Sequence, residues 1–229
     1  MPSSNKFPLP SLFQRGFLAG ILIALLLVIF GWVLVPTASL LSVGAALAIL
    51  AVYALLGGLC PPVLYRRNPL ILQIASVFGL IAGAIFVSEI LWEYLSLPAD
   101  NTQLGYLEFG SVFFLYFLSG LLVAYRTRKM GQAVLTAAGS AMIGSLIWLI
   151  AALACLYIFR GSPQQVQVFR AEGNYEDFAR SGMSDFNTFI MEDFMGATFY
   201  HLLLGPIVAI ILGAFGGLLG KSLASLRQH

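Results

Sequence analysis

The chain is short of charge. Only 10% of its 229 residues are Asp, Glu, Lys or Arg, where a soluble domain carries about a quarter. Hydrophobic residues make up 59%, and mean hydropathy is +0.91. Most of such a chain must be solvated by lipid. Cysteine and histidine are equally scarce, two of each, and their spacing matches no zinc motif. Cys60 and Cys155 should sit at opposite depths of a bilayer, while a disulfide needs Cα atoms within about 7 Å. The net charge of +2 comes with no basic stripe, which excludes nucleic acid as a partner. Polar stretches are too short to bury a core of their own, so residues 1–229 are expected to form one transmembrane domain. No motif calls for a cofactor. Gly220–Lys221–Ser222 imitates the end of a P-loop, but Phe215 stands where its first glycine belongs.

What the chain has in abundance is long apolar runs. A spanning helix needs about 20 apolar residues. Six stretches qualify, at about 17–35, 38–59, 70–95, 107–125, 132–159 and 194–220. The expected fold is therefore all-α: a polytopic bundle of six transmembrane helices. Pro36–Thr37 should turn the first span into the second, and Pro61–Pro62 should stop the second. The segment at about 160–193 is expected to form short interfacial helices. Their starts should fall near Ser162–Pro163, Asn174 and Ser184, and their stops at Gly173 and Gly182. Phe169, Phe178, Phe186 and Phe189 would dip into the membrane interface.

Charge fixes the orientation. Nine of the 12 cations (Lys6, Arg15, Arg66, Arg67, Arg126, Arg128, Lys129, Lys221 and Arg227) fall on one side of the six spans. By the positive-inside rule that side is the cytoplasm, with both termini in it. The expected location is a bacterial cytoplasmic (inner) membrane. All ten carboxylates fall toward the other side.

Ionisable groups within spans are costly in lipid and are candidates for function. Glu89 and Glu93 are four apart near the outer end of the third span, so they share a face. Glu108 begins the fourth span at a similar depth. Glu192, Asp193 and His201 open the last. Together the six form a candidate ligand-binding cluster that opens outward. Three uses are open: a cation or proton site; a structural network in which Glu89 bonds His201 and loop arginines neutralise the rest; or water-exposed carboxylates at the headgroups. Whether a metal is involved is not set by these residues.

Small residues recur every four positions, as in Gly205, Ala209, Gly213 and Gly217 of the last span. Such rows let helix backbones approach closely in lipid. They suit packing within the bundle, and also a homodimer or contacts with other membrane subunits.

Two segments, Thr188–Lys221 (TFIMEDFMGATFYHLLLGPIVAIILGAFGGLLGK) and Ala82–Leu95 (AGAIFVSEILWEYL), resemble uncharacterised multi-spanning bacterial membrane proteins with an acidic residue and a histidine before a glycine-rich last helix. That resemblance carries no activity. In size and helix number the chain is similar to the substrate-binding components of energy-coupling-factor transporters. The expected function is thus a non-enzymatic component that binds or transports a small solute or cation. The alternatives are a scaffold subunit of a larger complex and an intramembrane hydrolase using Ser111. Six spans, Ser119–Gly120 and a late histidine resemble the rhomboid family. Ser119, however, should lie at the wrong depth to meet His201, and a nucleophile and its base must approach to about 3 Å.

Overall fold

A computed structural model describes residues 9–96 and 102–227; the side chains of 9–11, 65–67 and 102 are also left out. Asp100 and Lys6 lie outside the described residues, as does most of the loop between the third and fourth spans. The chain is all-helical: α1 (Leu9–Leu34), α2 (Leu40–Arg67), α3 (Pro69–Ser96), α4 (Thr102–Thr127), α5 (Met130–Ile158), α6 (Pro163–Ala171), α7 (Asn174–Ser181) and α8 (Phe186–Leu226). Six of these are long and apolar enough to cross a membrane. The protein is an integral membrane protein built on a six-helix bundle.

Short connections make α1 and α2, α2 and α3, and α4 and α5 antiparallel. α5 is the central post: it packs on α3, α8, α4 and α1. Leucines such as Leu22, Leu55 and Leu218 face outward along the spans, 58%, 63% and 56% exposed. In lipid that exposure carries no penalty.

α2 does not stop at Pro61–Pro62. It continues through both prolines to Arg67. A proline lacks an N–H and so strips the carbonyl four residues before it of its helical partner. Pro62 does this to Gly58, and the Gln14 side chain of α1 donates to the Gly58 oxygen at 2.7 Å. Pro206 does it to Leu202 inside α8, and the buried Tyr53 hydroxyl of α2 donates to the Leu202 oxygen at 2.7 Å. Neighbouring helices thus supply the missing donors, which is how spans tolerate proline in lipid.

The caps follow the residue chemistry. Ser39, Ser162 and Asp185 each accept a backbone N–H at the start of α2, α6 and α8. The last of these sits one residue beyond the expected Ser184. Gly173 and Gly182 adopt left-handed φ values of 77° and 73°, a region glycine enters without strain.

The phenylalanines of this segment pack against one another. Phe186 is a hub, with Tyr175 stacked on it at 4.6 Å and Phe169, Phe178 and Phe189 around it. They fold α6 and α7 onto the start of α8.

Much of the glycine row of α8 packs within the chain. A Cβ at Gly216 would lie 2.1 Å from the Phe117 oxygen, and one at Gly220 2.3 Å from the Leu121 oxygen. Gly213 and Gly217 face Ala137 and Ala133 of α5. So α8 lies against α4 and α5 at backbone distance, the approach that small residues permit. Both cysteines are free.

Candidate functional site

At the acidic end of the bundle, α3, α4, α5, α6 and α8 line an open cavity of about 230 Å³. The last two turns of α3 bring Glu89 and Glu93 to it on one face, as their spacing of four requires. Between them Ile90 and Tyr94 are buried against Ala152, Cys155 and Val168, which fixes the rotation of α3. α8 contributes Asp193 and, about two turns further on, His201, and α5 contributes Trp148.

The fourth carboxylate comes from outside the spans. Glu172 caps α6, its N–H donating to the Val168 oxygen at 2.9 Å. The left-handed Gly173 then reverses the chain into α7. α6 rests on α3, so Glu172 is delivered to the rim of the cavity. Its carboxyl lies within hydrogen-bonding reach of that of Glu93. Two carboxyls can bond to each other only if one holds a proton. Burial, then the charge of Glu93 beside it, push the Glu172 carboxyl from its ordinary 4.5 up to about 8. Glu172 keeps solvent-accessible surface because it faces the open cavity. Protein atoms packed near its carboxyl still withhold part of the solvation of its charge.

Among the described residues no arginine neutralises this cluster. Among the described residues the one ion pair is Arg180 with Asp177, on the exposed face of α7. The expected bond between Glu89 and His201 is not made either. The His201 ring lies flat on Trp148, with centroids 3.9 Å apart and planes at 17°. The imidazole is therefore part of an aromatic wall. Also among the described residues, no three acidic, histidine or cysteine side chains converge closely enough to hold a metal ion.

Of the six residues expected from sequence, four meet at the cavity: Glu89, Glu93, Asp193 and His201. Glu108 sits beside it, in a small adjoining pocket of about 30 Å³ shared with Glu89 and Glu93. Its Oε2 is buried with no partner among the described residues. Glu192 is elsewhere. Its carboxylate accepts the Ser39 N–H at 2.9 Å at the start of α2, beside a bond between the Thr37 and Thr188 hydroxyls. It pins the α1–α2 turn to α8, and one step of about 100° around the helix separates it from Asp193. Ser111 donates to the Leu107 oxygen in its own helix at 2.7 Å; among the described residues no hydrogen bond joins it to His201.

Among the cavity residues that the sequence does not single out are Glu172, Trp148 and Phe109. Trp148 and Phe109 read as ordinary apolar residues of a span. The signal for Glu172 was its place as a helix cap just before a glycine, but that does not reveal where α6 folds back.

No protein-family profile, curated protein or solved structure matches the chain.

Proposed function

We propose that this protein is a non-enzymatic membrane component that binds or transports a small organic cation at its acidic end. The observation that carries the reading is a cavity of about 230 Å³ lined by carboxylates and aromatic rings together, with no protein cation paired to the carboxylates among the described residues. The volume is about half again that of the ~150 Å³ cavity that accepts a benzene. A bare metal ion would leave it mostly empty, and the carboxylates are too spread to ligate one. An ammonium group fits better. It draws on the charge of Glu93 and Glu172, and the face of Trp148 or Phe109 attracts it through the ring quadrupole.

The cation distribution supports an orientation in which the acidic end faces away from the cytoplasm of a bacterial inner membrane. A ligand would then arrive from outside. Binding a cation should expel the proton of Glu172, so affinity rises as Glu172 loses its proton near pH 8.

The test is Trp fluorescence of the purified protein titrated with tetramethylammonium, ethanolamine and sodium. Saturable quenching by the organic ammonium ions but not by sodium is expected, lost on Glu93→Gln or Glu172→Gln and silenced by Trp148→Phe. Equal responses to all three ions, or quenching that survives both glutamine variants, would sink the proposal.

A further inference from the structure

A second cavity lies between α1, α2, α3 and α5, at the opposite end from the carboxylates. It measures about 460 Å³ and is apolar almost throughout. Small residues make the room: Gly57, Ala75, Ala138 and Gly139 line it where larger side chains would fill it. α2 and α3 touch sparsely, while α3 lies closely along α5. The gap therefore opens sideways. Leu59, Val63 and Leu135 line it and are also exposed on the outer face of the bundle, 69%, 51% and 48% accessible. Its mouth faces hydrocarbon.

Water has no polar partners to satisfy it there. Left empty, the walls forfeit dispersion contacts on one side. The volume is roughly three times that of a benzene-sized cavity of ~150 Å³, which suits a long flexible chain.

The ends of the cavity differ. At the basic end of the bundle the Asn68 side chain donates to that of Gln132 at 3.0 Å, tying the end of α2 to the start of α5. α2 ends at Arg66–Arg67, within a turn of the lining residue Leu64. Lys129 caps α5 less than two turns before Leu135. In the sequence no carboxylate falls on this side of the spans. An apolar slot at the depth of one leaflet, with cations at its headgroup end, is complementary to a negatively charged lipid.

We propose that this cavity is a specific site for one acyl chain of an anionic phospholipid, whose headgroup lies at the end of α2 and the start of α5, where the sequence places Arg66, Arg67 and Lys129. The lipid fills the space that the sparse α2–α3 contact leaves, and so belongs to the folded unit.

The probes are phosphatidylglycerol and phosphatidylcholine with identical chains, added to delipidated protein and read by native mass spectrometry. One phosphatidylglycerol per chain should be retained, with a preference of at least about tenfold from three nearby cations. Ala138→Phe, which fills the slot, should abolish retention. Arg66→Gln, Arg67→Gln and Lys129→Gln together should erase the preference but leave the chain site. Cys60 lines the cavity, so in a Cys155→Ala background phosphatidylglycerol should slow its alkylation by a maleimide. That second readout needs no change in the slot, so it decides the matter even if Ala138→Phe misfolds. Equal retention of the two lipids, retention unaffected by Ala138→Phe, or unprotected Cys60 overturns the proposal.

Discussion

Replacing Gly216 by alanine should destabilise the bundle by about 2 kcal/mol. The added Cβ would sit 2.1 Å from the Phe117 carbonyl oxygen and 3.0 Å from the Leu121 nitrogen. A carbon and a carbonyl oxygen from facing helices rest at about 3.3–3.6 Å, so the contact is short by more than about 1 Å. The obstructing atoms are backbone, so no rotamer change relieves them. α4 and α8 must instead move apart along the seam, which also loosens the contacts of Gly120 with Gly213 and of Gly220 with Leu121. Overpacking of this kind costs about 1–3 kcal/mol, and unrelieved backbone contact argues for the upper end. Alanine's better helix propensity returns up to about 1 kcal/mol. Steric cost wins, leaving about 2 kcal/mol. Gly110→Ala on α4 is the control, because nothing lies within 4 Å of its Cβ position and only the propensity gain acts. The assay is unfolding in mixed micelles by increasing SDS, followed by near-ultraviolet circular dichroism. If Gly216→Ala unfolds with the wild type or alongside Gly110→Ala, the close α4–α8 seam is wrong.

Other consequences follow from the same contacts. Tyr53→Phe removes the donor that the Leu202 carbonyl lost to Pro206 and should cost about 1–3 kcal/mol, the penalty for an unsatisfied buried acceptor; Tyr106→Phe, 75% exposed, should cost nothing, and equal melting of the two variants refutes the patch. Stability should also fall with rising pH. Glu172 binds its proton more tightly in the fold, at about 8 against an ordinary 4.5. Its contribution is therefore complete below about pH 4.5 and lost as pH rises through 8. Glu93, Glu89 and Asp193 face it, and no cation offsets them among the described residues. Glu172→Gln should flatten the drop in melting temperature between pH 6 and pH 9, assay limits chosen at about two units below and one above that value; an unchanged slope would place the titration elsewhere. Glu192→Gln should leave ammonium binding intact, since its carboxylate is engaged at the start of α2; loss of binding without loss of stability would return it to the site.

The gap between sequence and structure is narrow for the spans and wide for the cavity. Apolar runs of spanning length, with loop charge sorted to opposite ends, need no tertiary information, because each helix satisfies its own backbone and lipid dictates its length. The shared face of Glu89 and Glu93 was legible for the same reason: spacing of four is local geometry. Pro61–Pro62 misled because the Gln14 donor that rescues the Gly58 carbonyl belongs to another helix, and no local rule can supply it. Glu192 and Asp193 are adjacent in sequence, yet one holds the start of α2 and the other faces the cavity. A rotation of one residue separates those fates, and only packing sets it. Glu172 depends on α6 folding back over α3, and Trp148 on meeting His201 face to face. Composition and periodicity thus determined that this chain crosses a membrane six times with an acidic end. Which of its acids meet, around which rings, was decided by helix rotations and side-chain contacts between segments distant in the chain, which no single helix contains.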